Sequence, residues 1–133
     1  MKNGFIDRLR ERFLKEFLDV LIIKRIRDKE YGGYDLLSYF HEYFNIMISP
    51  GTLYSTLYSL EREGYIEAHD EGRKRVYSLT SEGEGVLKEI DESKDTLGDF
   101  FSQILQRKFG KTEDESKHAF LPKIDLQVDT LQK

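Results

Sequence analysis

Ser49-Pro50-Gly51-Thr52-Leu53-Tyr54, continuing through Leu60-Glu61-Arg62-Glu63-Gly64-Tyr65-Ile66 to Arg73-Lys74-Arg75-Val76-Tyr77-Ser78-Leu79-Thr80, is the stretch whose reading decides the fold. Serine is a favoured N-cap, and proline at the first helical position forfeits nothing because that amide has no intrahelical partner. Ser49-Pro50 therefore predicts a helix start. Leu53, Leu57 and Leu60 recur at helical spacing and define its buried face, and Gly64 predicts its end. Beyond it, Ile66 and Ala68 alternate with Glu67 and His69, and Asp70-Glu71-Gly72 predicts a turn. Arg73–Thr80 then reads as a return strand with Tyr77 and Leu79 on one side, Val76 and Ser78 on the other. The order is a short helix followed directly by a two-stranded ribbon with a cationic tip.

Upstream, Phe5, Leu9, Phe13, Phe17, Leu21 and Ile22 recur at three- and four-residue steps with Arg8, Arg10, Arg12 and Lys15 between them. That periodicity predicts an amphipathic helix over about residues 5–29, in one piece or two, with residues 13–26 deeply packed. Gly32-Gly33 punctuates it. A second helix is expected from Tyr34 to Phe44, burying Leu36, Leu37, Phe40 and Phe44. Asp35 sits in its first turn, where the helix dipole favours an anion. Asn45 is its expected C-terminal cap, and Ile46-Met47-Ile48 an extended connector. Downstream, Ser81-Glu82-Gly83-Glu84 fits a capping box with serine at the cap. The helix it opens carries Leu87, Ile90, Leu97, Phe101 and Ile104 at near-heptad spacing, interrupted by Lys94 and weakened by Gly98. The polar run Lys111–His118 reads as a linker, and the tail beyond Pro122 fits a short strand or a helix equally.

Helix, helix, helix and basic hairpin make a fold that is mainly α with a small β-hairpin wing: a winged helix-turn-helix plus a long C-terminal dimerisation helix. The expected organisation is a winged-helix DNA-binding domain over 1–80 including the N-terminal helix, a dimerisation helix over 81–110, and a linker and tail over 111–133. At 133 residues the chain is one ordinary domain. It has no cysteine, which removes disulfides and thiolate chemistry and suits a reducing interior. Val20-Leu21-Ile22-Ile23 is far too short to span a bilayer, and the N-terminus lacks the apolar core of a signal peptide, so a cytoplasmic protein is expected. His41, His69 and His118 are far apart without neighbouring ligands at zinc spacing, and neither a nucleophile elbow nor a Gly-rich phosphate loop is present. No metal, no cofactor and no enzymatic activity are expected.

The net charge of −4 is unevenly spread, since residues 1–30 hold nine Lys/Arg against six Asp/Glu while residues 31–80 hold four against seven. An acidic chain can still bind DNA when its basic groups share a face, and such binding depends strongly on salt.

From Phe17 to Ile90 the chain resembles the PadR-like family of winged-helix transcriptional regulators. The matching motifs are Gly33-Tyr34-Asp35, Ser49-Pro50-Gly51-Thr52-Leu53-Tyr54, Leu60-Glu61-Arg62-Glu63-Gly64-Tyr65-Ile66 and Arg75-Val76-Tyr77-Ser78-Leu79-Thr80-Ser81-Glu82-Gly83. The resemblance implies a homodimer built on the C-terminal helix, often helped by the N-terminal one, which binds palindromic operator DNA and usually represses. Two departures stand out. Ser55 occupies the position after the helix-opening tyrosine where members commonly carry proline, and the chain has no tryptophan to line an aromatic drug pocket. A small-molecule effector therefore has no support in the sequence.

On this reading the third helix approaches double-stranded DNA through Ser49, Gly51, Thr52, Tyr54, Ser55 and Ser59, a face on which no carboxylate is expected until Glu63. Arg73, Lys74 and Arg75 grip the backbone. Tyr54 brings its hydroxyl to a phosphate, Tyr34 and Tyr77 pack, and the N-terminal cations form a solvated face. Leu87, Ile90, Leu97, Phe101 and Ile104 hold the dimer, because five large apolar side chains, each contributing roughly 1.5–3 kcal/mol when buried, are not left in water. The competing reading is a winged-helix protein–protein interaction module, which the acidic balance and a third helix with only Arg62 as a base both favour.

Overall fold

The leucine face of the central helix collects the rest of the structure around it. A computed structural model describes residues 4–106, and its elements are α1 (Phe5–Glu16), α2 (Leu18–Arg25), β1 (Tyr31–Gly32), α3 (Gly33–Phe44), α4 (Pro50–Arg62), β2 (Ile66–Glu71), β3 (Lys74–Leu79) and α5 (Ser81–Gln106). The expected linker Lys111–His118 and the tail lie outside the described residues. Leu53, Leu57 and Leu60 of α4 are buried with Leu18, Ile22 and Ile26 of α2, Leu36 and Phe40 of α3, Ile46, Ile48, Ile66, Tyr77 and Leu87. The fold is mostly helical with a small antiparallel sheet, as the winged-helix reading requires.

The N-terminal pattern resolves into two helices. α1 stops at Phe17 and α2 begins at Leu18, because only the second half of the stripe finds a buried partner: α1 buries no residue, α2 buries Leu18, Ile22 and Ile23. Phe13 and Phe17, expected to be deep, are exposed and stack on each other with centroids 6.5 Å apart. The helical run also ends at Arg25, short of residue 29. α3 ends at Asn45 in a left-handed conformation (φ 58°), as a C-terminal cap requires.

The sheet has three strands in the order β1-β3-β2, where the sequence offered two. β1 is only two residues long, too short for any periodicity, and pairs Tyr31 with Tyr77 and Gly32 with Val76. β2 runs on to Glu71, which pairs with Lys74, so the turn is Gly72-Arg73 and not Asp70-Glu71-Gly72. Gly72 carries a φ of +63°, the first central position of a tight hairpin that a side chain would strain. Successive strand residues face opposite sides of a sheet, yet Val76 and Tyr77 are both buried, so the wing root is covered on both faces.

The cap of α5 is Thr80, one residue before the expected Ser81. Thr80 Oγ1 accepts from Gly83 N–H at 3.0 Å and donates to the Gly64 carbonyl at 2.6 Å, while its own N–H reaches the Tyr65 carbonyl at 3.1 Å. The exit of α4 and the entry of α5 thus share one threonine, a link that a local capping pattern cannot reveal. Residues up to Asp91 form one compact unit, and a second begins at Glu92 within α5.

Candidate nucleic-acid interface

Ser49 caps α4 as expected, its hydroxyl accepting the Thr52 N–H at 3.1 Å and donating to Thr52 Oγ1 at 2.9 Å. The Thr52 hydroxyl proton is then left for an outside acceptor. α4 has no acidic residue in its first turn, so the positive end of its dipole is uncompensated and favours an anion.

Along α4 the exposed residues include Gly51, Ser55, Tyr58 and Arg62, spaced i, i+4, i+7 and i+11 on one stripe opposite the leucines. Thr52 and Tyr54 flank it and are also exposed. The Arg62 guanidinium lies 5.4 Å from the centre of the Tyr58 ring, a cation–π pair that holds both side chains along the helix. Tyr58 and Arg62 were not among the expected contact residues. A wheel centred on the three leucines points to both, whereas a search for serine and threonine passes over them.

Ser59 behaves otherwise. With Ser55 and Thr56 it lines a cleft of about 230 Å³ whose remaining lining includes Lys15, Glu16, Asp19 and Glu63. Ser59 is half-buried, and the carboxylates around that cleft oppose a phosphate. Of the expected hydroxyl face, Ser49, Thr52 and Ser55 are exposed, and Ser59 turns toward α1 and α2.

Tyr54 is 45% exposed, and its phenol ring lies against Gly33 at the start of α3, so closely that a methyl group on Gly33 would overlap it. A larger residue there would have to displace the Tyr54 ring. Tyr34, next in the chain, is 75% exposed and so is not the packing residue expected of it. Tyr77 is buried as expected, and burial pushes its phenol pKa up, with an opposing hydrogen bond from Arg75.

The three wing cations have different partners. Arg73 sits in the hairpin turn, exposed and without an ion pair among the described residues. Lys74 Nζ is 2.8 Å from Asp35 Oδ2, the oxygen that also accepts the Gly32 N–H at 3.2 Å. The Lys74 hydrogen bond holds the Asp35 carboxyl below its ordinary pKa, and Asp35 in turn raises that of Lys74. Arg75 reaches Glu61 at 3.3 Å and Asp70 at 3.7 Å. The expected triple basic tip therefore presents one unengaged cation.

Among the N-terminal cations, Arg10 donates to the Phe44 carbonyl at 2.8 Å, where a cation complements the C-terminal end of α3. His69, read from sequence as lacking neighbouring ligands, lies 3.2 Å from Glu30 and 3.8 Å from Glu71. All three are exposed, and their ligand atoms lie within 4.8 Å of one another.

The expected dimer residues divide. Leu87 is 8% exposed and belongs to the chain's own core, which removes it from a dimer seam. Ile90 and Phe101 are half-buried. Leu97 and Ile104 are 46% and 52% exposed, and Leu105, absent from the expected set, is more exposed still.

The sequence profile of the Transcriptional regulator PadR-like family matches residues 22–89, just over half of the 133 residues. The Transcriptional activator GvpE1 of Halobacterium salinarum is 31% identical over 108 residues, and the match covers 80% of this chain but only 55% of that protein. The chain thus spans about half the length of that relative. Among solved structures, a PadR-like transcriptional regulator from Bacillus cereus aligns over 73% of this chain and 99% of its own, at 25% identity and a TM-score of 0.62. A PadR family regulator from Eggerthella lenta aligns over 77% of this chain and 94% of its own, at 24% identity and a TM-score of 0.65, a likeness of fold. Among the described residues no helix is long and apolar enough to cross a membrane.

Proposed function

The chain belongs to the PadR-like family of transcriptional regulators, and on that premise we propose that it binds palindromic operator DNA as a homodimer and represses transcription. The observation that carries this is the start of α4: a helix N-terminus with no acidic residue in its first turn, beside Gly51, Thr52 and Ser55, all exposed. Such an end supplies N–H donors and positive potential to phosphate, while the exposed stripe behind it suits a groove. Hydroxyls discriminate bases weakly compared with arginine, so Arg62, steadied on Tyr58, adds the stronger hydrogen-bonding group to that stripe. In the second unit, Leu97 and Ile104 supply an apolar surface for a second copy. Two-fold symmetry would then place half-sites about 34–36 Å apart.

Selection from random duplexes followed by gel shifts at two salt concentrations tests the reading. A palindromic consensus whose affinity falls steeply with salt is the expected result, and absence of any shift at low salt overturns it. Repression is the sign the family resemblance implies. Since GvpE1 is named an activator, a reporter bearing the selected site, with and without the protein, decides it.

A second reading, a protein-interaction module without DNA binding, is favoured by one observation: Lys74 and Arg75 are already paired with carboxylates in an acidic chain. It would be supported by failure of the duplex selection with the folded dimer.

A further inference from the structure

We propose that Asp35 and Glu61 are positioning residues of the DNA-reading surface: they dock the wing on α3 and α4 by engaging Lys74 and Arg75, and leave Arg73 as the wing cation offered to phosphate. The inference rests on the DNA-binding reading above and concerns how that surface limits indiscriminate binding.

The two carboxylates come from different helices and hold adjacent residues of one strand. Asp35 lies in the first turn of α3 and is fixed from behind by the Gly32 N–H, whose residue pairs with Val76 of β3. Its other contact is Lys74, at the start of that strand. Glu61, in the last turn of α4, takes Arg75 at 3.3 Å, and Asp70 across the hairpin approaches the same guanidinium at 3.7 Å. The wing is thereby tied to the second helix and to the helix that would enter the groove, at two successive positions.

Exposed ion pairs add little to stability, so folding alone is a weak reason for this arrangement. Its consequence for binding is larger. A lysine or arginine free in solvent joins any phosphate and releases counterions whatever the sequence. One already held by a carboxylate must share or surrender that partner first, so its net gain at any duplex is smaller. Engaging two of three cations lowers affinity for all DNA while fixing the wing relative to α4, and specificity is a ratio of affinities.

The test uses the full chain and a random-sequence duplex, with fluorescence anisotropy from 50 to 200 mM salt. Asp35→Asn is expected to steepen the salt dependence by about one unit, which corresponds to an extra loss of about fourfold across that range. Glu61→Gln acts in the same direction through Arg75. The deciding quantity is the coupling between Asp35 and Lys74. Lys74→Gln should reduce the slope by about one unit more in the Asp35→Asn background than in the wild type. Strict additivity overturns the proposal, because it means Lys74 already meets phosphate and Asp35 acts only as a distant charge. Unchanged slopes in both single carboxylate variants overturn it as well.

Asparagine can still accept the Gly32 N–H, so the entry to α3 keeps its hydrogen bond. Thermal unfolding checks each variant, and Glu61→Gln is an independent arm should Asp35→Asn lose its fold. If the wild-type protein binds no duplex at any salt, the DNA-binding reading falls. If it binds and the cycle is additive, only the docking role falls.

Discussion

Arg73 and its two neighbours look alike in sequence, and their partners separate them. An unpaired cation in a hairpin turn meets phosphate at full charge, whereas Lys74 and Arg75 are held by carboxylates at 2.8 and 3.3 Å. Arg73→Ala is therefore expected to weaken binding to every duplex alike and to flatten the salt slope by about one unit. Equal affinities of variant and parent at physiological salt would remove the wing from the interface. Ser55, on the exposed stripe, is expected to behave differently. Ser55→Ala should shift preference at one base step with little change in salt dependence, as read by selection before and after the change. Gly33 is constrained by the Tyr54 ring that lies against it. Gly33→Ala would push a methyl into the Tyr54 phenol, costing about 1–3 kcal/mol of stability in urea titrations. It should also reduce DNA affinity, since Tyr54 moves.

At the level of elements, most of the local signals act where they were read. Ser49 caps α4 with the bond that its position before proline predicts. Ser49→Ala should cost about 1 kcal/mol and would also free the Thr52 hydroxyl from its neighbour. An unchanged melting temperature would show that the cap contributes nothing. The contact between α3 and the wing carries a pH prediction. Asp35 has its pKa depressed from 3.8 by Lys74, so its contribution is complete above that value and disappears as pH falls through the lower, folded one. Lys74 is raised from 10.5 by Asp35, so its contribution is complete below that value and disappears only as pH rises beyond it. The pair should stay intact throughout neutral pH, and DNA affinity between pH 6 and 8 should be the same for the parent and Asp35→Asn apart from a constant offset. An offset that varies with pH would assign the titration to other groups. The two-residue strand β1 and the cap at Thr80 are the elements the sequence misjudged, and the helix break at Phe17 is the one it left open. Each depends on a partner distant in the chain, namely the core under α2, β3 beside β1, and the Gly64 carbonyl beneath Thr80.

For the whole molecule, the question is which apolar residues serve the fold and which are left for the proposed second copy. The heptad-like spacing of Leu87, Ile90, Leu97, Phe101 and Ile104 treats them as one set, because periodicity reports a helix face and not what covers it. Burial divides the set. Leu87→Ala should cost about 2–5 kcal/mol of stability, as a deletion from a packed core does. Leu97→Glu combined with Ile104→Glu should leave the fold of the first unit intact and convert the proposed dimer to monomers in sedimentation equilibrium. It should also abolish binding to a palindrome while sparing weak binding to a half-site. A dimer that survives both substitutions would move the interface elsewhere.

Taken alone, the order of residues determined the class of fold, the register of α4 and the family, because capping, helical spacing and strand alternation are local physics that a run of a dozen residues carries within itself. It also marked the wing as basic. What it could not determine is which of those charges is available, which hydroxyls look outward, and where Leu87 spends its surface. Ser55 and Ser59 differ by one helical turn and both line the cleft beside Glu16 and Asp19, yet only Ser59 is half-buried there. Lys74 finds Asp35 across 39 positions of chain. Tertiary structure decided these points because charge neutralisation and exclusion of water depend on distance in space, and only folding brings together side chains that far apart in the chain.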